Sequence, residues 1–204
     1  MYIMLTKRYT ALRLFKNLLT LMLLGFSAFS AQAQDDELLT QSRNLSLSML
    51  KELSGKLQSA MAEGGAINAI SVCNLQAPAI ANRVSNENQV NVSRVGTRAR
   101  NPIMGVPNAW QAKALAQFEA GLARGDKPAD MEFSETVAKP DGGKEFHYAK
   151  PILMQPMCLS CHGNSQQISS EVNAKLSEIY PNDKAINYQA GQLRGAVVLT
   201  RPTP

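Results

Sequence analysis

Histidine and cysteine are both rare in this chain of 204 residues, which contains two histidines and three cysteines. An odd number of cysteines excludes a complete set of disulfides, so at least one thiol needs another explanation. Structural zinc sites use four ligands, which usually come as two closely spaced pairs, and this chain has only one such pair. These shortages disfavour a structural zinc domain and leave one thiol to account for.

The chain also lacks an apolar run of the roughly 20 residues that a membrane-spanning helix needs. Its apolar run from Leu18 to Phe29 follows four basic residues and precedes Ala31-Gln-Ala33. A basic segment, an apolar segment and an A-x-A site in this order are typical of a secretory signal peptide. We therefore predict that residues 1–33 are a signal peptide and that the mature protein is periplasmic. An uncleaved membrane anchor is the alternative.

Acidic residues are absent from the first 33 positions, which carry four of the 21 basic residues. Without that segment, basic and acidic residues nearly balance, although the whole chain has a net charge of +5. Nothing in the mature chain then supports a nucleic-acid partner. Because residues 34–204 contain no internal repeat and have the length of one domain, we predict a single domain there.

The most specific motif is Cys158-Leu-Ser-Cys161-His162, a Cys-x-x-Cys-His run. This pattern is the attachment signal of c-type haem, because two thiols at this spacing can reach the two vinyl groups of one porphyrin. The histidine after the second thiol then binds the iron. We predict one covalent haem c on Cys158 and Cys161, with His162 as an axial ligand.

Other interpretations of the motif are weaker. A thioredoxin-like redox pair needs a thiolate at a helix N-terminus, whereas Gly163-Asn-Ser165 indicates a turn. A zinc site could recruit Cys73 and His147, but a second closely spaced pair is missing. A disulfide across so short a loop conflicts with the geometry that disulfides require.

Apolar periodicity and turn residues predict an alternation of helices and strands. Gly64-Gly65 should end the first helix, and Pro78 should bend the second helix near Asn74. We place the motif on a loop beside a sheet edge. The predicted helices are Asp35–Met61, Ala66–Val84, Ala109–Ala123 with Asn108 as N-cap, and a short one from Ser169 or Ser170 to Tyr180. The predicted strands are Gln89–Val95, a hairpin of Met131–Lys139 and Lys144–Pro151, and Leu193–Thr200.

Two features outside the motif remain open on residue patterns alone. Cys73 lies on the apolar side of its predicted helix, where it is either an iron ligand or a buried packing residue. Arg94, Arg98 and Arg100 are either contacts for the haem propionates or part of a solvated basic segment.

Several stretches together resemble a known family of exported c-type haem domains with a PAS-like α/β fold, long catalogued as a domain of unknown function. The matching stretches cover nearly the whole mature chain: Ser71–Ala81, Arg100-Asn-Pro102 with Pro107 and Trp110, Tyr148–Ile152, Cys158–Gly163 and Gly191–Ala196. The cysteine–proline helix and the Arg-Asn-Pro loop are more specific than the haem motif alone.

The resemblance implies an α+β fold in which helices flank an antiparallel sheet and covalent haem packs against it. It further implies that His162 is the proximal iron ligand and Cys73 the distal one, which would account for the odd thiol. His147 does not belong to the family pattern. If it bound the iron instead, the site would be bis-histidine, and Met154 and Met157 are further candidates.

A thiolate opposite an imidazole pushes electron density onto iron and lowers its reduction potential. We therefore expect a redox or diatomic-gas sensor that passes its signal to a separate redox or signalling partner. A small low-potential electron-transfer cytochrome is the alternative. A haem enzyme needs an open coordination site with distal acid–base groups, so catalysis is not expected.

Overall fold

The computed structural model describes the backbone of residues 3–203 and the side chains of residues 34–203. The side chains of the predicted signal peptide lie outside the described residues, so that interpretation stays a prediction, as does the domain boundary after residue 33. The chain divides into two compact units, Met1–Gln41 and Ser42–Pro204. None of the described helices is both long and apolar enough to cross a membrane.

The Ser42–Pro204 unit combines helices with one antiparallel sheet, so the predicted α+β class is confirmed. The strands lie in the order β1-β4-β3-β2. The helices are α1 (Ile3–Ser71), which begins in the first unit, α2 (Ala77–Asn88), α3 (Ala109–Arg124), α4 (Leu159–His162) and α5 (Ser170–Ile179). The strands are β1 (Asn91–Gly96), β2 (Phe133–Ala138), β3 (Lys144–Leu153) and β4 (Leu193–Thr203).

Helix α1 is interrupted at Gly64 and Gly65, as the sequence predicts. Gly65 has φ 65° and ψ −160°, a conformation that only glycine adopts readily. Apolar side chains from both sides of the break pack together: Leu53, Leu57, Ala60, Met61, Ala69 and Val72. The break therefore folds the helix back on itself, so that the segment just before Cys73 packs against the part of α1 that precedes the glycines.

A π-helical turn, Val72–Gln76, separates α1 from α2. Pro78 has no N–H group, so the carbonyl oxygen of Asn74 loses its normal helical partner. The helical turn is wider here, because the backbone N–H of Ala77 donates to the carbonyl oxygen of Val72, five residues back. The irregularity predicted near Asn74 thus takes the form of a wide turn that contains Cys73.

The sheet has two differently covered faces. One face packs against α3 through a cluster of buried apolar side chains: Val95, Ala114, Leu115, Phe118, Met131, Ala149, Leu193, Ala196 and Val198. Because side chains alternate along β1, Arg94, the neighbour of Val95, points to the opposite face. Arg194 lies where the β3–β4 register shifts, and its guanidinium lies over Gly96 on that opposite face. Asn108 caps α3 through a capping box, as predicted.

The local structure of the motif differs from expectation. Strand β3, which leads into it, lies between β4 and β2, so the motif follows an interior strand. The motif itself occupies a 3-10 turn, Pro156–Cys158, and the single helical turn of α4. Backbone hydrogen bonds from Cys158 N to Gln155 O and from Gly163 N to Leu159 O form these turns. The prediction of a loop beside a sheet edge is therefore wrong.

Candidate functional site

The three cysteines are all free thiols, and each is partly buried. Cys158 packs with Met154, Ala185 and Tyr188, while Cys161 packs against the apolar surface between α1 and α5. Among the described side chains, no group of three His, Cys, Asp or Glu residues is close enough to hold a metal ion. The zinc interpretation therefore finds no site among these residues.

His162 is held in one orientation by the protein backbone. Its Nδ1 lies 2.7 Å from the carbonyl oxygen of Ala185, to which an Nδ1–H group donates. That bond leaves Nε2 as the unprotonated nitrogen, which is the form that ligates metals. Burial, aided by the charges of Arg100 and Arg194, holds the pKa of His162 well below its ordinary value of 6.5. The imidazole is therefore neutral at physiological pH.

An ion pair between Arg100 and Asp183 supports the orientation of the His162 ring. Arg100 Nε donates to Asp183 Oδ2 at 2.9 Å, and Asp183 Oδ1 accepts from the backbone N–H of Ala185 at 2.7 Å. Arg100 Nη2 also donates to the carbonyl oxygens of Cys161 and Ala185. The pair thus fixes both the motif and the carbonyl group that orients His162.

Gly163 allows the chain to turn tightly after the motif histidine. A Cβ atom at this position would lie 2.6 Å from the carbonyl oxygen of Leu159 and 2.5 Å from Gln167 Oε1. Such contacts are well inside van der Waals separation, so only glycine fits without a shift of the backbone. The glycine therefore keeps α4 compact directly beside His162.

Cys73 lies on the same side of the sheet as the motif. A negative charge on its sulfur would raise the pKa values of Cys161 and Tyr180, which places it near both side chains. Tyr180 Oη donates to Asn74 Oδ1 at 3.0 Å, which ties the end of α5 to the π-helical turn. The structure thus brings Cys73 and the motif, 85 residues apart in sequence, into one region.

His147 lies on the face of the sheet that α3 covers, away from that region. Its Nε2 is 2.7 Å from Glu145 Oε2, and its ring packs edge-on against Trp110 with 4.9 Å between ring centroids. Met154 is buried among Ala185 and Tyr188. Of the three alternative ligands, His147 is therefore already bonded to Glu145 on the opposite face, Met154 is buried, and Met157 is partly buried beside Cys158.

Two arginines pack against Tyr188 on the motif side, and a third lies on the same face of the sheet. The guanidinium of Arg98 stacks 3.6 Å from the centroid of the Tyr188 ring, and that of Arg194 lies 5.7 Å from it. Arg94 is partly buried. Its charge helps to lower the pKa of His162, so its guanidinium lies within electrostatic range of that ring. The sequence predicts propionate contacts for Arg98 and Arg100. Of these two, Arg100 is already bonded to Asp183 and to two backbone carbonyl groups, whereas Arg98 forms no bond with Asp183.

Sequence reasoning missed four residues of this site: Asp183, Ala185, Tyr188 and Arg194. The first three belong to a segment that reads as a polar loop, and no local pattern marks them. Arg194 lies within the Gly191–Ala196 stretch that carries the family resemblance, which was the one available signal.

Two comparisons with known proteins give a match. The model of the Tll0287-like family matches residues 27–202. The crystal structure of the cyanobacterial heme-protein Tll0287 aligns with a TM-score of 0.58 and 24% sequence identity, covering 78% of this chain and 92% of that chain. No curated protein matches the chain. At this identity, the aligned structure establishes the shared fold.

Proposed function

Since the chain belongs to the Tll0287-like family, we propose that it is a haem-binding protein with one haem c attached to Cys158 and Cys161. A solved structure of similar fold is that of a protein described as a heme-protein. The observation that carries the proposal is the bond between His162 Nδ1 and the Ala185 carbonyl oxygen, because it leaves Nε2 free for iron.

The residues present fit such a group. Both motif thiols are free, and the neutral imidazole beside them is in its ligating form. Leu75 and Ile186 are large apolar side chains with 65% and 38% exposure, and they lie next to the segments that carry Cys73 and Ala185. A porphyrin needs apolar surface of this kind to pack against.

We assign Cys73 as the second axial ligand. It lies on the motif side of the sheet, whereas His147 is bound to Glu145 on the other side. Haem supplies a redox-active iron that can bind diatomic gases, and a Cys–His ligand pair favours its ferric state and a low potential. The protein contributes the rigid support of His162 and the less regular backbone around Cys73.

That difference between the two ligands favours a redox or gas sensor. His162 is fixed by Arg100 and Asp183, while Cys73 lies in a π-helical turn, a type of turn often found at functional sites. If both residues hold the iron, Cys73 would be the more easily displaced of the two, and a change in its turn would be passed to α2, which follows directly. Such a two-state element is what a switch requires.

A small electron-transfer cytochrome is the second candidate function. It would need the same cofactor and a transient partner interface but no ligand release. The exposed apolar side chains Ile103 and Met104, with 92% and 55% exposure, lie in the loop directly after Arg100 and offer such an interface.

The test is to produce the protein together with haem-attachment machinery and record ferric and ferrous absorption and EPR spectra. We expect covalent haem that survives denaturation, and a low-spin ferric site that becomes high-spin in Cys73→Ala. His147→Ala is the matched control and should leave the spectra unchanged. A wild-type protein without covalent haem refutes the proposal, and a spectral change in His147→Ala alone would reassign the second ligand.

Carbon monoxide distinguishes the two functions. For a sensor, the ferrous protein should bind carbon monoxide, and amide exchange at residues 72–76 should increase on binding. Ferrous protein that excludes carbon monoxide and exchanges electrons rapidly with small carriers would favour electron transfer.

We further propose that the protein is exported and cleaved after Ala33, as the leader pattern indicates. Intact-mass measurement of the secreted product should give a chain that begins at Gln34. A product that retains residues 1–33 would favour the membrane-anchor alternative.

A further inference from the structure

Three guanidinium groups gather beside the motif on the face of the sheet opposite α3. Arg98 stacks on Tyr188 at 3.6 Å, and its own carbonyl oxygen accepts from Arg194 Nη1 at 3.1 Å. Arg94 projects to this face because its neighbour Val95 occupies the other face. Arg194, at the register shift of the adjacent strand β4, reaches the same face over Gly96. Their combined charge makes this the most strongly basic part of the site.

Arg94, Arg98 and Arg194 differ from four other arginines among the described residues, which form ion pairs with carboxylates. These pairs are Arg43 with Glu132, Arg83 with Glu52, Arg100 with Asp183 and Arg124 with Asp126. Among the described residues, no carboxylate lies within ion-pair distance of Arg94, Arg98 or Arg194. Burial is the main reason that the pKa values of Arg94 and Arg194 are lowered, and the acidic groups around them do not offset it.

The backbone makes room for this arrangement. Gly96 lies opposite Gly195 at the end of the β1–β4 pair. A Cβ atom on Gly96 would overlap with Nη1 of Arg194, so the glycine allows the guanidinium to lie directly over the strand. Burying the Arg194 guanidinium without an anionic partner is unfavourable, so this position favours the binding of an anion.

We propose that Arg94, Arg98 and Arg194 form a carboxylate-binding site beside His162 that takes the propionate groups of the bound haem. The inference rests on the proposed function for its ligand. Guanidinium groups bind carboxylates bidentately, and three of them can accommodate two carboxylates. Arg100 has no part in this site, because its guanidinium is already bonded to Asp183 and two backbone carbonyl groups.

The test compares the propionate bending bands in resonance Raman spectra of the haem-loaded protein and its variants. These bands shift when the hydrogen bonds to the carboxylates change. We expect shifts in Arg98→Gln and Arg194→Gln and none in Arg124→Gln, which alters an exposed arginine far along the chain. Arg98 is only partly buried and stacks on the Tyr188 ring, so its variant should fold even if Arg194→Gln does not.

Succinate binding to unloaded and loaded protein separates the possible carboxylate sources. We expect succinate to bind the unloaded chain at least tenfold more weakly in Arg98→Gln and not to bind the loaded wild type. Succinate binding to the loaded protein, with unchanged Raman bands, would overturn the propionates as the ligand. Arginine variants that change neither measurement would overturn the site altogether. If no haem attaches but succinate binding still depends on the arginines, the proposed function fails and the carboxylate site stands.

Discussion

Arg100 and Asp183 form a buried ion pair, with 2.9 Å between Nε and Oδ2 and side-chain exposures of 9% and 12%. The pair spans 83 residues of sequence and connects the segment after β1 to the loop before β4. Because both partners also bond to the backbone of Ala185, which orients His162, the pair joins the stability of the fold to the orientation of the His162 ring.

Replacing Asp183 with asparagine should cost about 3 kcal/mol of unfolding free energy, since Arg100 would be left buried without a counterion. Urea denaturation of the unloaded protein measures this loss. Asp126→Asn is the control: it breaks the exposed Arg124–Asp126 pair and should cost less than about 1 kcal/mol. Equal effects of the two variants would mean that the Arg100–Asp183 pair is no more important than a surface contact.

Gly195→Ala should destabilise the protein by about 1–3 kcal/mol or more, because the added Cβ would overlap with the carbonyl oxygen of Val95 on the neighbouring strand. Gly55→Ala offers a matched control in α1, where a Cβ would meet nothing within 4 Å. That control should stabilise the helix by about 0.5–1 kcal/mol. Thermal unfolding of both variants gives the comparison, and a neutral Gly195→Ala would contradict the close strand spacing.

Glu132 should make stability depend on acid pH. It accepts hydrogen bonds from Arg43 and Tyr148, and the bond from Arg43 is the main reason that its pKa lies below the ordinary 4.5. The unfolded chain therefore takes up a proton at a higher pH than the folded protein does, so stability falls as the pH drops below about 4.5. Glu132→Gln lacks this contribution.

Denaturation of the wild type and Glu132→Gln should be followed from pH 7 to pH 3. The wild type should be the more stable of the two near neutral pH, and the difference should shrink as Glu132 is protonated. Glu63→Gln, at an exposed position, should follow the wild type throughout. A constant difference between wild type and Glu132→Gln at all pH values would exclude the carboxylate as its cause.

Cys161 should react slowly in the folded, unloaded protein. Burial raises its pKa to about 11 from an ordinary value of 9.0. Only the thiolate is nucleophilic, so at pH 8 alkylation by iodoacetamide should be about a hundredfold slower than in the urea-unfolded chain. Cys73→Ala/Cys158→Ala protein isolates this single thiol. Equal rates in the folded and unfolded states would show that folding does not protect Cys161.

Local signals predicted the elements well because their causes are local. Asn108 marks the start of α3 in both sequence and structure, and Gly64-Gly65 interrupts α1 as expected. The turn residues 140–143 do connect β2 and β3. Each of these residues determines the backbone within a few positions of itself.

The site depends on relationships that no local pattern contains. Asp183 matters because it meets Arg100, and Arg194 matters because Gly96 on another strand leaves it room. The motif was placed on an edge loop because sequence order does not reveal that β3 is an interior strand. The identities of the motif residues were readable from the sequence, whereas their supporting contacts required the fold.

The strand order also determines when the protein can finish folding. β1 pairs with β4, which the ribosome makes after every other strand, so the two must find each other across about a hundred residues. Until β4 is present, β1 and β3 lack their common neighbour, and Leu193 and Gln192, which pack or bond beside the motif segment, are absent. The partly buried thiols of Cys158 and Cys161 should therefore be more accessible in a chain that lacks β4 than in the folded protein.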